Sequence, residues 1–182
     1  MRLFVAIPLA AAVADELTAI TTRLSSPGDG LRWQKPESWH ITLQFLGNAS
    51  QQQYECILPR LRELHLPPLS IRLDGLGFFD RAGVFLATVS VSPALLQLQQ
   101  RVTAATEPCG FVPEARPYQP HITLARSGRG QREGILALKD KMRRQPEFTG
   151  FVADEFLLYE SFLSPAGSRY EVRARFPLDA RS

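Results

Sequence analysis

With 182 residues, 45% of them hydrophobic and 21% charged, the chain has the composition of a globular protein able to bury a substantial core. No apolar run approaches the roughly 20 residues of a membrane-crossing helix, so no membrane role is expected. The net charge is +3, and its distribution is uneven. Between Arg116 and Arg144 eight basic residues stand against two acidic ones, a net of +6 that leaves −3 for the rest. A local positive field favours a polyanionic substrate, although Lys139 to Arg144 reads as the solvated face of a helix. Cys56 and Cys109 match no metal-ligand or redox spacing and are expected as reduced, half-buried side chains. Cytoplasmic localisation follows as the default.

The elements follow in chain order. Residues 3–7 read as an apolar first strand rather than a signal peptide, ended by Pro8. Leu9, Val13, Leu17, Ile20 and Leu24 recur at helical spacing until Ser25 to Gly30 stops them. A short strand at Leu31–Trp33 and a turn at Pro36 precede a strand from His40 to Leu46. Ser50 with Gln53 three residues on is a capping box for a helix to about Leu64, with Pro59 threatening its continuity. Two β-like runs, Leu69–Phe79 and Val84–Val91, read as a hairpin. Ser92 and Pro93 open a helix of about 14 residues. A Pro-rich connection then leads into a strand from His121 to Ala125. A charged helix is expected from about Gly130 to Arg144, and two closing strands at Phe151–Phe162 and Tyr170–Phe176. Helices and strands are mixed, which argues an α+β fold over a doubly wound parallel sheet.

One internal echo stands out. His40-Ile41-Thr42-Leu43 recurs as His121-Ile122-Thr123-Leu124 in a chain with three histidines. Each copy begins a strand and precedes a helical segment, as in a duplicated lobe. Alternate residues of a strand share a face, so each copy offers one imidazole and one hydroxyl about 7 Å apart, with Ile and Leu turned inward. Two facing copies would place an acid and a base on opposite sides of phosphorus, as in-line displacement of an alkoxide by water requires. Imidazole suits both tasks, with an ordinary pKa near 6.5. Thr42 and Thr123 can donate hydrogen bonds to the non-bridging oxygens. Arg126 can add a charge-assisted contact, but strict alternation turns it away from Thr123, so this needs a bend or bulge after Leu124. The third histidine, His65, reads as a helix-end surface residue. A zinc site fits poorly, because neither copy carries a neighbouring ligand and threonine is a weak one. A threonine nucleophile would leave the duplication unexplained.

The chain resembles the two-histidine (2H) phosphoesterase superfamily, and within it the bacterial LigT-like RNA 2′,3′-cyclic phosphodiesterases, formerly called 2′-5′ RNA ligases. The resemblance rests on Arg2 to Ile7, on Leu31-Arg32-Trp33, and on Trp39 through Gly47. It continues in Pro117 through Arg126 and in Phe156–Tyr159 with Ser161. It implies a single domain, 1–182, of two interleaved, pseudo-symmetric lobes, mainly antiparallel sheet with outer helices and a cleft between them. It also implies metal-independent, cofactor-free opening of RNA-terminal 2′,3′-cyclic phosphates to 2′-phosphates by His40 and His121, with some 2′-5′ ligation. The superfamily casts the first histidine as acid and the second as base; the symmetry of the motifs leaves the order open. Tyr118 stands where relatives often carry Phe, as an aromatic wall for substrate, and Arg32 is read as structural support ahead of a cleft-facing role. The expected partners are RNA ends or cyclic-phosphate nucleotides, with a monomer and no obligate protein partner. The competing readings are a 2′-5′ RNA ligase, a phosphodiesterase of small cyclic nucleotides, and an RNA-end-binding module without turnover.

Overall fold

The computed structural model describes residues 1–128, 132–142, 144–164 and 167–179. Arg129 and Arg143 of the basic segment, Gly130 at the start of the expected helix, and Pro165-Ala166 of the last turn lie outside them. The chain opens with β1 (Arg2–Pro8), α1 (Ala11–Leu24), β2 (Leu31–Trp33), β3 (His40–Asn48) and α2 (Gln51–Arg62). It continues with β4 (Leu69–Ile71), β5 (Leu73–Phe79), β6 (Val84–Val89) and α3 (Pro93–Thr106). The last elements are β7 (His121–Ser127), α4 (Glu133–Lys141), β8 (Phe151–Ala153), β9 (Glu155–Ser164) and β10 (Gly167–Pro177).

The strands form two four-stranded sheets, β10-β9-β1-β3 and β2-β7-β6-β5, and a two-stranded pair, β4-β8. Every pairing is antiparallel. The fold is therefore α+β, and the chain passes between the two large sheets instead of finishing one before starting the other. Buried side chains of both sheets and all four helices belong to one hydrophobic cluster, including Val5, Ile41, Leu98, Ile122 and Leu138.

Local signals account for most boundaries. The Ser50–Gln53 capping box is formed in both directions at the start of α2. The helix passes through Pro59 to Arg62, with Ile57 and Leu61 buried; packing of that face outweighs the missing N–H. Ser92 caps α3 by accepting from Leu95 N–H, and Pro93 occupies its first turn. Helices α2 and α3 cover the first sheet, and Thr106 at the end of α3 donates to Gln44 Oε1 of β3 across a buried 2.8 Å. On the other lobe, Lys141 of α4 reaches the Leu24 carbonyl and Ser26 beyond α1. Gly134 lets α4 approach the backbone entering β2: a Cβ there would lie 2.4 Å from the Asp29 carbonyl oxygen.

Three expectations are corrected. The run Leu69–Phe79 is two strands in different sheets, β4 pairing with β8 and β5 with β6. The run Phe151–Phe162 divides likewise at Asp154, whose carbonyl accepts from Leu178 N–H. A continuous β-like run shows no period change where it leaves one sheet for another, so only the long-range partners locate these breaks. Cys56 and Cys109 are not free thiols but a disulfide, with Cα atoms 5.8 Å apart across 53 residues of sequence. The pair fastens α2 to the turn after α3, where Gln53 Nε2 also donates to the Cys109 carbonyl. Packing of two sequence-remote helices, invisible in cysteine spacing, brings the sulfurs together.

Candidate active site

The repeated motifs lie on β3 and β7, strands of different sheets that meet in the interior. Each histidine is held by the same local device. His40 Nδ1 lies 2.8 Å from the Ser38 carbonyl, and His121 Nδ1 lies 2.8 Å from the Gln119 carbonyl. A carbonyl oxygen only accepts, so Nδ1 carries the hydrogen in both neutral rings and Nε2 is left for proton exchange. The bond spans two residues, and each motif therefore builds it within its own strand entry.

Both strands are bulged at the same place. In the β1–β3 pair Val5 faces Gln44 and Ala6 faces Thr42, which leaves Leu43 as the extra residue. In the β6–β7 pair Phe85 faces Ala125 and Leu86 faces Thr123, which leaves Leu124 extra. A bulge reverses the inside–outside alternation beyond it. The two strands accordingly show one burial sequence over six residues: half-buried His, buried Ile, half-buried Thr, buried Leu, a second buried residue, then an exposed one. That exposed residue is Phe45 in the first copy and Arg126 in the second.

One cleft gathers the result. Its walls carry His40, Thr42 and Phe45 from β3 and His121, Thr123 and Arg126 from β7. Gln34, Ser38 and Tyr170 complete the lining. A second hollow, beside Leu61, His65 and Phe176, has no comparable pairing of groups, and His65 there is exposed, 3.9 Å from Asp179.

The surroundings of the two rings differ. His40 sits among aromatic rings, with Phe4 at 4.7 Å, Tyr170 edge-on at 5.3 Å and Tyr159 at 6.0 Å between centroids. His121 has Phe79 edge-on at 4.8 Å. Burial lowers the His40 pKa from 6.5 to about 4; the Ser38 carbonyl opposes the shift, and His121 and Arg126 add to it. His121 is lowered also, chiefly by burial and further by Arg126, with the Gln119 carbonyl opposing. Both imidazoles are therefore neutral in the free protein at pH 7. An anion bound between them would raise the affinity of either ring for a proton.

The structure brings together five of the six residues named from the sequence, namely His40, His121, Thr42, Thr123 and Arg126. Tyr118 stands apart from that lining. Its hydroxyl donates to the Thr42 carbonyl at 2.9 Å, and burial raises its pKa, so its neutral O–H ties the entry of β7 to the back of β3. The Arg32 side chain makes no such tie: it is exposed on β2, and its guanidinium has no hydrogen-bond or ion-pair partner among the described residues. The basic segment also divides. Lys139 pairs with Asp80 at 2.6 Å and Arg116 with Glu114, whereas Arg126 enters the cleft. Sequence reasoning missed Phe45, 65% exposed, and Tyr170, which arrives from β10. The Leu43 bulge hid the first. Nothing in the sequence near His40 points to the second.

The profile of the 2′-5′ RNA ligase superfamily matches residues 8–161. The Thermotoga maritima RNA 2′,3′-cyclic phosphodiesterase is 30% identical over 94% of this chain and 92% of its own length. A Geobacillus stearothermophilus protein of the same name is 30% identical over 96% of this chain, which spans 56% of that relative. Among solved structures, Escherichia coli LigT complexed with 3′-AMP superposes with a TM-score of 0.82 at 26% identity, covering 97% of each chain. A Thermus thermophilus protein superposes with a TM-score of 0.78 at 29% identity over the whole of both chains.

Proposed function

Because the chain belongs to the 2′-5′ RNA ligase superfamily, we propose that it is a phosphoric diester hydrolase that opens terminal 2′,3′-cyclic phosphates of RNA to 2′-phosphates. The observation that carries this reading is the convergence of both His-x-Thr pairs on one cleft, each ring presenting Nε2. The names of the relatives and the nucleotide held by LigT support a cyclic phosphodiester as substrate.

In the proposed reaction a neutral imidazole takes a proton from water as its oxygen bonds to phosphorus. The P–O3′ bond breaks, and the other ring, as imidazolium, gives its proton to O3′. The 2′-phosphate remains. Thr42, Thr123 and Arg126 stabilise the charge gathering on the non-bridging oxygens. Phe45 offers its exposed face to the base of the terminal nucleoside. No step calls for a metal or cofactor. If His40 is the acid, the bound phosphate has to lift its pKa from about 4.

The shared hydrophobic cluster supports a single domain of two interleaved lobes, with 1–182 as its proposed extent. Among the described residues no helix is long and apolar enough to cross a membrane, and a cytoplasmic site of action fits an RNA-end substrate. The disulfide pulls against a reducing compartment.

The test is incubation with an RNA ending in a 2′,3′-cyclic phosphate in the presence of EDTA, followed by phosphorus NMR. A 2′-phosphomonoester is expected. Persistence of the cyclic phosphate despite tight binding would instead identify an RNA-end-binding module. The superfamily description favours one second reading, 2′-5′ ligation, in which a 5′-hydroxyl replaces water. Joined product exceeding hydrolysis at dilute RNA ends would make ligation the main activity.

A further inference from the structure

Arg32 and Arg126 are directly opposed in the antiparallel β2–β7 pair. Opposed residues of such a pair project from the same face, with backbones about 5 Å apart. Gln34 gives an independent bearing. It extends β2 through a 2.8 Å bond from its N–H to the Leu124 carbonyl, and its side chain lines the cleft. Two residues earlier on the same strand, Arg32 shares that face and stands one repeat further from the histidines. Like charges placed directly opposite destabilise a sheet. Four arginines of the described residues, Arg116, Arg169, Arg173 and Arg175, meet carboxylates, and most do not. Neither Arg32 nor Arg126 has a hydrogen-bond or ion-pair partner among them. An anion between the two guanidinium groups would remove the repulsion.

We propose that Arg32, with Arg126 shared between it and the reacting group, forms a second phosphate subsite, which takes the phosphate on the 5′ side of the terminal nucleoside while the cyclic phosphate lies between the histidines. This rests on the phosphodiesterase reading for the orientation of the nucleotide. Strand β2 is the edge of its sheet, so Arg32 is free to follow a chain leaving the cleft over that rim. The guanidinium fork suits paired phosphate oxygens. The phosphate has two possible sources, a 5′-phosphomonoester on a single nucleotide or the internucleotide diester of an RNA chain.

Calorimetric binding separates this subsite from turnover. The probes are adenosine 2′-phosphate, adenosine 2′,5′-bisphosphate, and the dinucleotide adenylyl-(3′→5′)-adenosine 2′-phosphate. A charge-assisted pair of this kind predicts tighter binding of the phosphate-bearing probes, about tenfold or more. Arg32→Gln is expected to abolish that gain, and Arg32→Lys to restore part of it. A gain with the bisphosphate supports the subsite for any 5′ phosphate; a gain confined to the dinucleotide supports it as a reader of the RNA diester. No gain in the wild type, a gain that survives Arg32→Gln, or an equal loss for all three probes overturns it. If the cyclic phosphates are bound yet not hydrolysed, the phosphodiesterase reading fails while these binding ratios still decide the subsite.

Discussion

The two lobes use one backbone device for different chemistry. In both, a His-x-Thr strand fixes its histidine through the carbonyl two residues back, bulges at a leucine, and so turns the fifth residue after the histidine into the cleft. In the first lobe that residue is Phe45, against Phe4, whose ring also meets Tyr159 and Tyr170. In the second it is Arg126, with Arg32 opposite on β2. The motif strand is the edge of its sheet in the first lobe and is flanked on both sides in the second. One backbone device thus presents a matched pair of imidazoles, and the difference at one equivalent position separates an apolar wall from a charged one.

The largest expected effect tests the matched part. His40→Ala and His121→Ala should each lower kcat/KM for a nucleoside 2′,3′-cyclic phosphate by about 10²–10⁴-fold, assayed with EDTA present. The double variant should fall little further, because the two rings act as a unit. Clear activity in either single variant would mean that one lobe works alone. A cyclic substrate with sulfur replacing O3′, which departs without a proton, should rescue only the variant that lacks the acid.

A pH profile comes next. In the proposed mechanism turnover needs one ring protonated and one neutral, and both pKa values are depressed in the free protein, His40 to about 4 and His121 below 6.5. Raising the pH through the higher value removes the imidazolium, and lowering it through the lower one removes the base. The profile of kcat/KM should therefore be a bell with its maximum below pH 6.5, whichever ring has which role, falling about tenfold per unit outside it. A plateau reaching above pH 7.5 would break the symmetry of depressed rings.

The divergent part should show smaller, distinguishable effects. Arg126→Ala is expected to lower kcat by about 10–100-fold on any cyclic phosphate, as loss of a charged donor to the reacting group does. Phe45→Leu should raise KM by about tenfold, and only for substrates that carry a base. The same response of both variants to a base-free cyclic phosphate would erase the contrast between the lobes.

The smallest effect on activity belongs to the disulfide, which lies among the helices covering the first sheet. Cys56→Ser is expected to cost about 2–4 kcal/mol of stability in thermal or denaturant unfolding, with little change in turnover. A large loss of activity in the folded variant would show that the helix layer positions β3 as well as covering it.

The legible and the hidden parts differ in range. The capping box of α2 and the Ser92-Pro93 start of α3 were readable because their partners lie within a few residues. So were the facing of His40 with Thr42 and of His121 with Thr123, which needs only strand alternation. Arg126 was identified from the sequence on condition of a bulge, and the register of β6 on β7 supplies it. Phe45 obeys the same rule in the other lobe but went unread, since an exposed phenylalanine on a strand looks like a core residue to a pattern of hydrophobicity. Tyr118 was named as substrate wall, and a bond across 76 residues of sequence directs its hydroxyl to the Thr42 carbonyl instead.

The sequence by itself determined the two one-faced His-x-Thr pairs, because strand geometry and the i−2 carbonyl act within each motif. It determined the α+β class through its mixture of helical and alternating patterns. The tertiary structure alone decided that the two pairs share a cleft, that Leu43 and Leu124 are the bulged residues, that Cys56 meets Cys109, and that Arg32 stands opposite Arg126. Each of those is a register or contact between segments far apart in the chain. Such contacts are set by how two sheets and their helices bury one common core, which no local period records.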